Sequence, residues 1–240
     1  MNLHLTLQGK GGVGKTLVAV LLAQYFTEKE EFPPFCIDID PVNRSFAGFK
    51  KLSVITQNII KNKEIEARKF DELMDKIITT KENNCIVDAG ASTFIPLTAY
   101  LQENSMLEFL TSQNIKIFVH VVITGGQALD DTIRGLSFII EEFGNTANVV
   151  VWLNEYFGEI ENNGKSFEES KIFLNNKENI YGLITIPEMT KSTFGIDIKQ
   201  MLTDRVTFDE YINSDRYFII PRQRIKIFKE TMFNNISMVF

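Results

Sequence analysis

The chain is poor in cysteine and histidine, and this scarcity excludes several kinds of site. Its 240 residues include two cysteines and two histidines. Cys36 and Cys85 each fall inside an apolar run that is typical of a strand, and so do His4 and His120. Two cysteines cannot build a disulfide framework or a cysteine-rich metal site. We therefore expect small buried thiols and buried, hydrogen-bonded histidines that take no part in catalysis.

Long apolar runs and an excess of basic residues are missing as well. No stretch reaches the roughly 20 apolar residues that a helix needs to cross a membrane. The chain also enters its first strand and loop at once, which leaves no room for a signal peptide, and a cytoplasmic location is the expectation. The formal net charge of −6 argues against a surface broadly devoted to nucleic acid and leaves only a local basic patch for direct DNA contact.

No internal repeat, low-complexity tract or proline-rich linker divides the chain, so we expect a single domain over residues 1–240. Apolar, strand-like runs alternate with helix-length segments. The predicted strands are 3–7, 35–39, 85–87, 117–123, 149–153 and 181–186. The predicted helices are 16–28, 66–81, about 95–110, 130–143, 166–175 and 222 to the C-terminus, with a polar loop or insertion over 159–169. This alternation predicts an α/β fold, in which helices cover both faces of a mostly parallel central sheet.

A glycine-rich loop lies between the first predicted strand and the first predicted helix. Residues 8–16 read Gln-Gly-Lys-Gly-Gly-Val-Gly-Lys-Thr and fit the pattern G-x-x-x-x-G-K-[ST]. The glycines let backbone N–H groups approach a β-phosphate, Lys15 reaches the β- and γ-phosphates, and the Thr16 hydroxyl completes the coordination of Mg²⁺. The loop therefore predicts a P-loop NTPase that binds a nucleoside triphosphate with magnesium. The residues expected to contact the nucleotide here are Gly11, Gly12, Val13, Gly14, Lys15, Thr16 and Leu17.

Carboxylates end two of the predicted strands, at the edge of a parallel sheet where ligands bind. Asp38 and Asp40 end the second strand, and Asp88 ends the third. Asp38 and Asp88 are candidates to hold the magnesium ion through water, and Asp40 is a candidate to orient the water that attacks the γ-phosphate. The plainer alternative for Asp38 and Asp40 is a solvated strand exit whose turn is set by Pro41.

Two further strand ends are candidates for contact with the base. Asn154 carries an amide that both donates and accepts, as the edge of a purine requires, and Pro187 stands where it would flank the base. A turn residue is an equally good interpretation of Asn154. These residues alone do not decide between ATP and GTP.

Together these residues resemble the ParA/MinD group of P-loop ATPases, which belong to the SIMIBI type and have a deviant Walker A loop. The signature of the group is a second lysine near the start of the loop, here Lys10. The resemblance implies an ATP-dependent homodimer that encloses two Mg-ATP molecules, with Lys10 acting on the partner's nucleotide as an arginine finger would. It also implies a slow ATPase whose catalytic residues are Lys10, Lys15 and Asp40.

Finer motifs are similar to those of ParA/MinD proteins that serve conjugative transfer. They are residues 36–43 (C-I-D-I-D-P-V-N), Phe46 with Gly48, and residues 154–158 (N-E-Y-F-G). The resemblance implies work in the transfer or maintenance of a plasmid or integrated conjugative element, with a protein partner of a conjugation or partition system. Two other interpretations stay open: an ATP-coupled biosynthetic enzyme on the same scaffold, and a nucleotide-dependent adaptor with little hydrolysis.

The chain departs from the group at two places. Partition proteins of the group carry two prolines after the acid of the third strand, where this chain has Ala89 and Gly90 after Asp88. MinD proteins end in a membrane-seeking amphipathic helix, and residues 222–236 are amphipathic and basic at their start. A terminal helix packed on the sheet explains that pattern too, and we expect packing instead of membrane contact.

Overall fold

A seven-stranded sheet forms the centre of the computed structural model, which describes residues 1–162 and 164–240. Its strands are β1 (Asn2–Thr6), β2 (Phe35–Asp38), β3 (Ile55–Thr56), β4 (Asn84–Asp88), β5 (Lys116–Thr124), β6 (Asn148–Asn154) and β7 (Ile180–Ile186). Every neighbouring pair is parallel, and the order across the sheet is β7-β6-β5-β1-β4-β2-β3. Strands β2 to β4 lie on one side of β1 and strands β5 to β7 on the other. The carboxyl end of β1 is therefore a topological switch point, where open α/β sheets bind ligands.

Helices cover both faces of this sheet. They are α1 (Lys15–Lys29), α2 (Arg68–Thr79), α3 (Phe94–Glu103), α4 (Met106–Ser112), α5 (Leu129–Phe143), α6 (Lys171–Asn176), α7 (Ile196–Asp204), α8 (Phe208–Ile212) and α9 (Ile219–Ser237). One apolar core joins α2, α3, α4 and α5 to one face, and a second core joins α1, α7, α8 and α9 to the other. Because strand residues alternate between the faces, both faces of the central strands are apolar and buried. The predicted α/β fold, with a parallel sheet covered on both sides, is confirmed.

The elements missing from the sequence prediction are short. β3 has only two residues at the sheet edge, and α7 and α8 have nine and five. Such lengths are too short for apolar periodicity to be distinctive. The predicted helix 95–110 is divided into α3 and α4, because Ser105 between them takes a left-handed conformation with φ of 45°.

The polar segment after β6 is more structured than predicted. Glu161–Asn162 pairs with Lys165–Ser166 in a small antiparallel ladder, and residue 163 of the predicted loop 159–169 lies outside the described residues. The predicted helix 166–175 is reduced to α6, because Phe167–Glu169 forms a separate 3₁₀ turn whose first backbone N–H groups are capped by Ser166 and Glu169.

A chain of buried polar side chains crosses the second core. The indole Nε1 of Trp152 donates to His120 Nδ1 at 2.9 Å. Since that nitrogen accepts, the proton of neutral His120 is on Nε2, which donates to His4 Nδ1 at 3.0 Å. His4 Nε2 in turn donates to Asn84 Oδ1 at 3.3 Å. We call these four residues the histidine cluster, and it confirms the expectation of buried, hydrogen-bonded histidines.

The C-terminal helix α9 lies on the sheet with one apolar side. Its buried residues belong to the second core, as predicted for a helix packed on the sheet. They are Ile225, Phe228, Met232, Phe233 and Ile236. In the part of the chain that the structure describes, no helix is long and apolar enough to cross a membrane.

Candidate functional site

The glycine-rich loop connects the end of β1 to the start of α1, at the switch point of the sheet. Gly12 and Gly14 have φ values of +76° and +112°, which only glycine adopts readily. A β-carbon at Gly14 would also lie 2.9 Å from Asn154 Nδ2. Helix α1 begins at Lys15, so its unpaired N–H groups and the positive end of its dipole face the loop. This arrangement favours the binding of an anion.

Lys15 is nearly buried, with 7% of its surface exposed. Its Nζ donates to the carbonyl oxygen of Lys10 at 3.0 Å, which keeps the ammonium group over the loop. Burial lowers the pKa of Lys15, and the carboxylates of Asp88 and Asp40 oppose that effect. The ammonium group is therefore short of compensating negative charge, as a phosphate-binding lysine should be.

Asp88 joins the loop helix to the sheet. Its Oδ2 accepts a hydrogen bond from the Thr16 hydroxyl at 2.7 Å, and its Oδ1 accepts one from the Thr6 hydroxyl at 2.8 Å. Burial nonetheless raises the pKa of Asp88 to about 7, more than these two hydrogen bonds lower it. A nearby cation would stabilise the ionised carboxylate, and Thr16 with Asp88 is a donor set of the oxygen type that Mg²⁺ prefers.

Asp38 and Asp40 end β2 in different surroundings. Asp38 is fully buried, accepts from the backbone N–H groups of Asp40 and Ala47 at 2.9 Å each, and has a pKa raised by burial. Asp40 accepts from the N–H groups of Val42 at 2.8 Å and Asn43 at 3.1 Å through its Oδ1. Both carboxylates thus stabilise the turn after β2. A turn at this position is what the plainer alternative, a strand exit whose turn is set by Pro41, also expects.

Gly90 explains one departure of the sequence. A β-carbon at this position would lie 2.6 Å from Cγ of Asp40. The segment after Asp88 must therefore be small where Asp40 approaches it, and neither Ala89 nor Gly90 resembles the prolines of the partition proteins. A side chain at position 90 would therefore displace the Asp40 carboxylate.

Two adjoining cavities open beside the loop. The larger, about 570 Å³, is lined by Gly11, Gly12, Gly14 to Leu17 and Asp40 among others. The smaller, about 310 Å³, is mainly apolar and is lined by Asn154 and Pro187 among others. Five residues line both cavities and mark their junction, namely Gly12, Gly14, Leu17, Lys199 and Leu202. Polar and apolar compartments joined in this way suit a nucleotide, with its phosphates in one and its base in the other.

Asn154 serves the loop as well as the smaller cavity. Its Nδ2 donates to the carbonyl oxygen of Val13 at 2.9 Å, and its Oδ1 accepts from Tyr156 N at 3.2 Å. Asn154 is therefore a turn residue, as one interpretation of the sequence has it. It also lines the smaller cavity together with Pro187, where the other interpretation needs it. Its contact with a base stays a prediction.

Lys10 points to a different part of the molecule. Its Nζ lies 2.7 Å from Asp131 Oδ2 on α5, with 43% and 38% of the two side chains exposed. Arg134 pairs with the other oxygen of Asp131. The lining of the larger cavity, as far as the described residues form it, includes Lys15 and not Lys10.

Sequence reasoning missed the contribution of α7. Lys199, Leu202, Thr203 and Arg205 line the larger cavity, although no motif marks them. In the sequence they are ordinary residues of a segment without a predicted helix. Only the path of the chain across the sheet brings them near the loop.

Within the described residues, no three His, Cys, Asp or Glu side chains are grouped as a protein-only metal centre. This fits magnesium, which is usually bound by one or two carboxylates together with the phosphates of a nucleotide. The residues that would hold the ion here are Thr16 and, through water, Asp38 and Asp88.

A parallel sheet with a glycine-rich loop at its switch point, a buried lysine and a threonine-carboxylate pair defines a P-loop nucleotide-binding protein. The chain belongs to the family of the CobQ/CobB/MinD/ParA nucleotide binding domain, whose model matches residues 5–195. The predicted ParA/MinD resemblance is thereby confirmed.

Relatives cover nearly the whole chain. It is 42% identical over 236 residues to a Protein TraL of Escherichia coli, an alignment that spans 98% of this chain and 97% of that protein. A second Protein TraL of Escherichia coli is 43% identical with the same coverage.

Solved structures share the fold at low sequence identity. A ParA family ATPase from Chlorobium tepidum has a TM-score of 0.52 and 13% identity, and covers 94% of this chain and 96% of its own. The MinC:MinD cell division protein complex of Aquifex aeolicus has a TM-score of 0.54 and 14% identity, with 98% and 96% covered.

Proposed function

We propose that the protein is an ATP-dependent dimerisation switch that binds Mg-ATP and hydrolyses it slowly. The observation that carries this proposal is the group of Lys15, Thr16 and Asp88 at the start of α1, beside a cavity of about 570 Å³. Burial lowers the pKa of Lys15 and raises that of Asp88 by more than the attraction between the two groups offsets. A triphosphate supplies further negative charge to Lys15, and a divalent cation supplies further positive charge to Asp88.

The loop residues bind the phosphates in this proposal. Backbone N–H groups of Gly11 to Leu17 surround them, and the Lys15 ammonium group binds the β- and γ-phosphates. The Thr16 hydroxyl binds the magnesium ion, and Asp88 and Asp38 hold it through water. The ion neutralises charge on the phosphates during transfer.

Asp40 positions the attacking water. Its Oδ1 accepts from two backbone N–H groups, and among the described residues its Oδ2 has only a long contact of 3.4 Å from Asn43 Nδ2. Since Asp40 lines the larger cavity, Oδ2 is the oxygen that would accept a hydrogen bond from water. The Asp40→Ala variant should bind ATP and dimerise but release no phosphate.

Lys10 provides the contact between subunits. Its pair with Asp131 is more than one third exposed on both sides, and such pairs contribute only about 0–1 kcal/mol. Breaking it to reach a partner's nucleotide therefore costs little. Arg134 stays on Asp131 when Lys10 leaves, so no carboxylate is left unpaired.

The molecular mass of the protein in solution, measured with each nucleotide, tests this proposal. Light scattering after size-exclusion chromatography should give a dimer with Mg-ATP and a monomer with Mg-ADP, while a phosphate-release assay shows slow turnover. Lys10→Ala should stay monomeric with ATP, whereas Arg134→Ala, which removes the other cation on Asp131, should dimerise. An unchanged monomer in wild-type protein with Mg-ATP would refute the switch.

Adenine is the base we propose for the smaller cavity, where Asn154 offers hydrogen bonds and Pro187 offers an apolar surface. Competition of ATP and GTP for a fluorescent ATP analogue tests this. Equal affinities would contradict it.

We further propose that the switch serves conjugative transfer or maintenance of a mobile element, through a protein partner of that system. The sequence motifs and the identity of more than 40% to TraL support this. Transfer frequency from donor cells that carry Lys15→Ala in place of the wild-type gene should fall. A normal frequency with normal plasmid retention would exclude both roles.

A further inference from the structure

We infer that Lys199 of α7 and Arg205, which caps this helix, bind the phosphate chain of the nucleotide in the larger cavity. Arg205 also connects the phosphate chain to the segment after β2 that holds Asp38. This inference rests on the proposed nucleotide site and deepens it. The P-loop pattern contains neither residue, and α7 has no counterpart in the sequence prediction.

The charge of the cavity lining is the first argument. Three cations, Lys15, Lys199 and Arg205, face the space together with a single carboxylate, Asp40, in a chain whose net charge is −6. Concentrated positive charge in a concave site attracts an anion. A triphosphate needs more positive charge than the loop lysine alone supplies.

The pairing of neighbouring charges is the second argument. Asp204 directly precedes Arg205 but pairs with Arg216 at 3.4 Å and accepts from the Tyr217 hydroxyl at 2.8 Å. Across the described residues, neither Lys199 nor Arg205 has a side-chain ion pair or hydrogen bond, whereas the nearby Lys191 lies 3.7 Å from Glu188. The two cations of α7 are thus available to a ligand.

The position of Lys199 indicates which part of the nucleotide it contacts. It lines both the polar cavity and the apolar cavity, so it stands at their junction with Leu17. A nucleotide with its base in one cavity and its β- and γ-phosphates in the other must place its sugar and α-phosphate at that junction. Lys199 therefore binds a group that ATP and ADP share.

The backbone of Arg205 allows a clean test of its side chain. Arg205 caps the end of α7 in the left-handed conformation, with φ of 55° and ψ of 43°, where glycine is the usual residue. A glycine at this position therefore removes the guanidinium group without backbone strain.

Arg205 also contacts the segment after β2. A β-carbon at Gly48 would lie 2.7 Å from Arg205 Nε and closer still to its Cδ, so the guanidinium stem rests directly on the glycine. The adjacent Ala47 donates its N–H to Asp38 Oδ2. Arg205 thereby touches the phosphate cavity and the segment that holds a candidate magnesium residue.

Four variants and two nucleotides test the inference. Dissociation constants for fluorescent ATP and ADP analogues are measured with Mg²⁺ for wild type, Lys199→Ala, Arg205→Gly, Gly48→Ala and the surface control Lys191→Ala. A hydrogen bond to a charged group lost on truncation corresponds to about a tenfold change. We expect Lys199→Ala and Arg205→Gly each to bind both nucleotides about tenfold more weakly, and Lys191→Ala to bind them normally.

Two features of the variants separate binding from folding. Arg205→Gly places the favoured residue at the end of α7, so its melting temperature without nucleotide should not fall. Gly48→Ala keeps every charge but displaces the Arg205 side chain, and should weaken binding several-fold. The backbone φ of Gly48 is not in the left-handed region, so alanine is compatible with the backbone and only the Arg205 side chain has to move.

Wild-type affinity in both Lys199→Ala and Arg205→Gly would overturn the inference while leaving the proposed function intact. Wild-type affinity in Gly48→Ala, with loss in Arg205→Gly, would overturn the link to the Asp38 segment. Absence of nucleotide binding in the wild-type protein itself would refute the proposed function, and this inference with it.

Discussion

The central strands carry two groups of buried polar side chains, and these differ in how far their hydrogen bonds and charges are balanced. The histidine cluster lies within the strands, before their carboxyl ends. The second group, here called the acidic cluster, lies at their carboxyl ends. It consists of Asp38 and Asp88, which end β2 and β4, and of Lys15 and Thr16, which begin α1 beside them. Strand β4 contributes to both groups, since it supplies Asn84 at its start and Asp88 at its end.

Each ring N–H group in the histidine cluster meets an acceptor, and the contacts from Trp152 to Asn84 leave one tautomer for each histidine ring. Burial lowers the pKa of His4 to about 3 and that of His120 well below its usual value, so the group is neutral and complete. The acidic cluster has the reverse character, with an acid of raised pKa beside a lysine of lowered pKa. A balanced buried network stabilises a fold, whereas an unbalanced one indicates a site for a ligand.

The largest expected effect is on nucleotide affinity. Lys15→Ala removes the cation that binds two phosphates and should weaken Mg-ATP binding by about 100-fold, or about 3 kcal/mol. Isothermal titration calorimetry measures it, and circular dichroism checks that the fold persists. Binding within a factor of three of wild type would place the phosphates elsewhere.

Breaking the other cluster should affect stability and not binding. His120→Leu leaves Trp152 Nε1 and His4 Nδ1 buried without partners, at a cost of about 1–3 kcal/mol each. We expect the free energy of unfolding in urea to fall by about 3 kcal/mol, with Mg-ATP affinity unchanged. A drop of less than about 1 kcal/mol, or a tenfold loss of affinity, would remove the distinction between the clusters.

Asp88→Asn should stabilise the nucleotide-free protein while it destroys the site. Because burial raises the pKa of Asp88 from 3.8 to about 7, the folded state binds more protons than the unfolded state between those values, and stability falls as pH rises from about 4 to 7. The asparagine removes that dependence. Its unfolding free energy should exceed that of wild type by about 4 kcal/mol at pH 8, and the two should converge near pH 4.

The measurement for Asp88→Asn is a series of urea denaturations between pH 4 and pH 8, without nucleotide. A variant less stable than wild type at pH 8 would mean that the Asp88 charge is already balanced within the protein. Its Mg-ATP affinity should be lower than that of wild type at every pH.

The smallest effect concerns the exposed pair of Lys10. Asp131→Asn should release this lysine and strengthen ATP-dependent dimerisation by at most about fivefold, because an exposed pair contributes no more than about 1 kcal/mol. Sedimentation velocity over a range of concentrations measures the dimer constant, with Arg134→Ala as the control. Loss of the dimer in Asp131→Asn would show that the carboxylate is needed in the assembled state.

Local sequence predicted the loop and the acids because their chemistry is contained in short segments next to buried strands. Lys15, Thr16, Asp38 and Asp88 needed only the order of apolar runs, and the parallel sheet then gathered them. That residues 1–240 fold as one domain stays a prediction, which limited proteolysis can test.

Contacts that join distant segments were beyond sequence reasoning. The amide of Asn154 binds Val13, 141 positions away, and the partner of Lys10 follows it by 121 positions. No sequence pattern indicates that Arg205 and Gly48 lie close together, since one is a common surface cation and the other a common turn residue. Such contacts depend on how the helices cross the sheet.

The most direct test of the account is calorimetric titration of the wild-type protein with ATP, in the presence and in the absence of Mg²⁺. We expect one nucleotide per chain and binding at least about tenfold tighter with the ion, because Asp88 and Thr16 then share it with the phosphates. Absence of binding, or an affinity that does not change with Mg²⁺, would contradict the claim that the acidic cluster is a magnesium-nucleotide site.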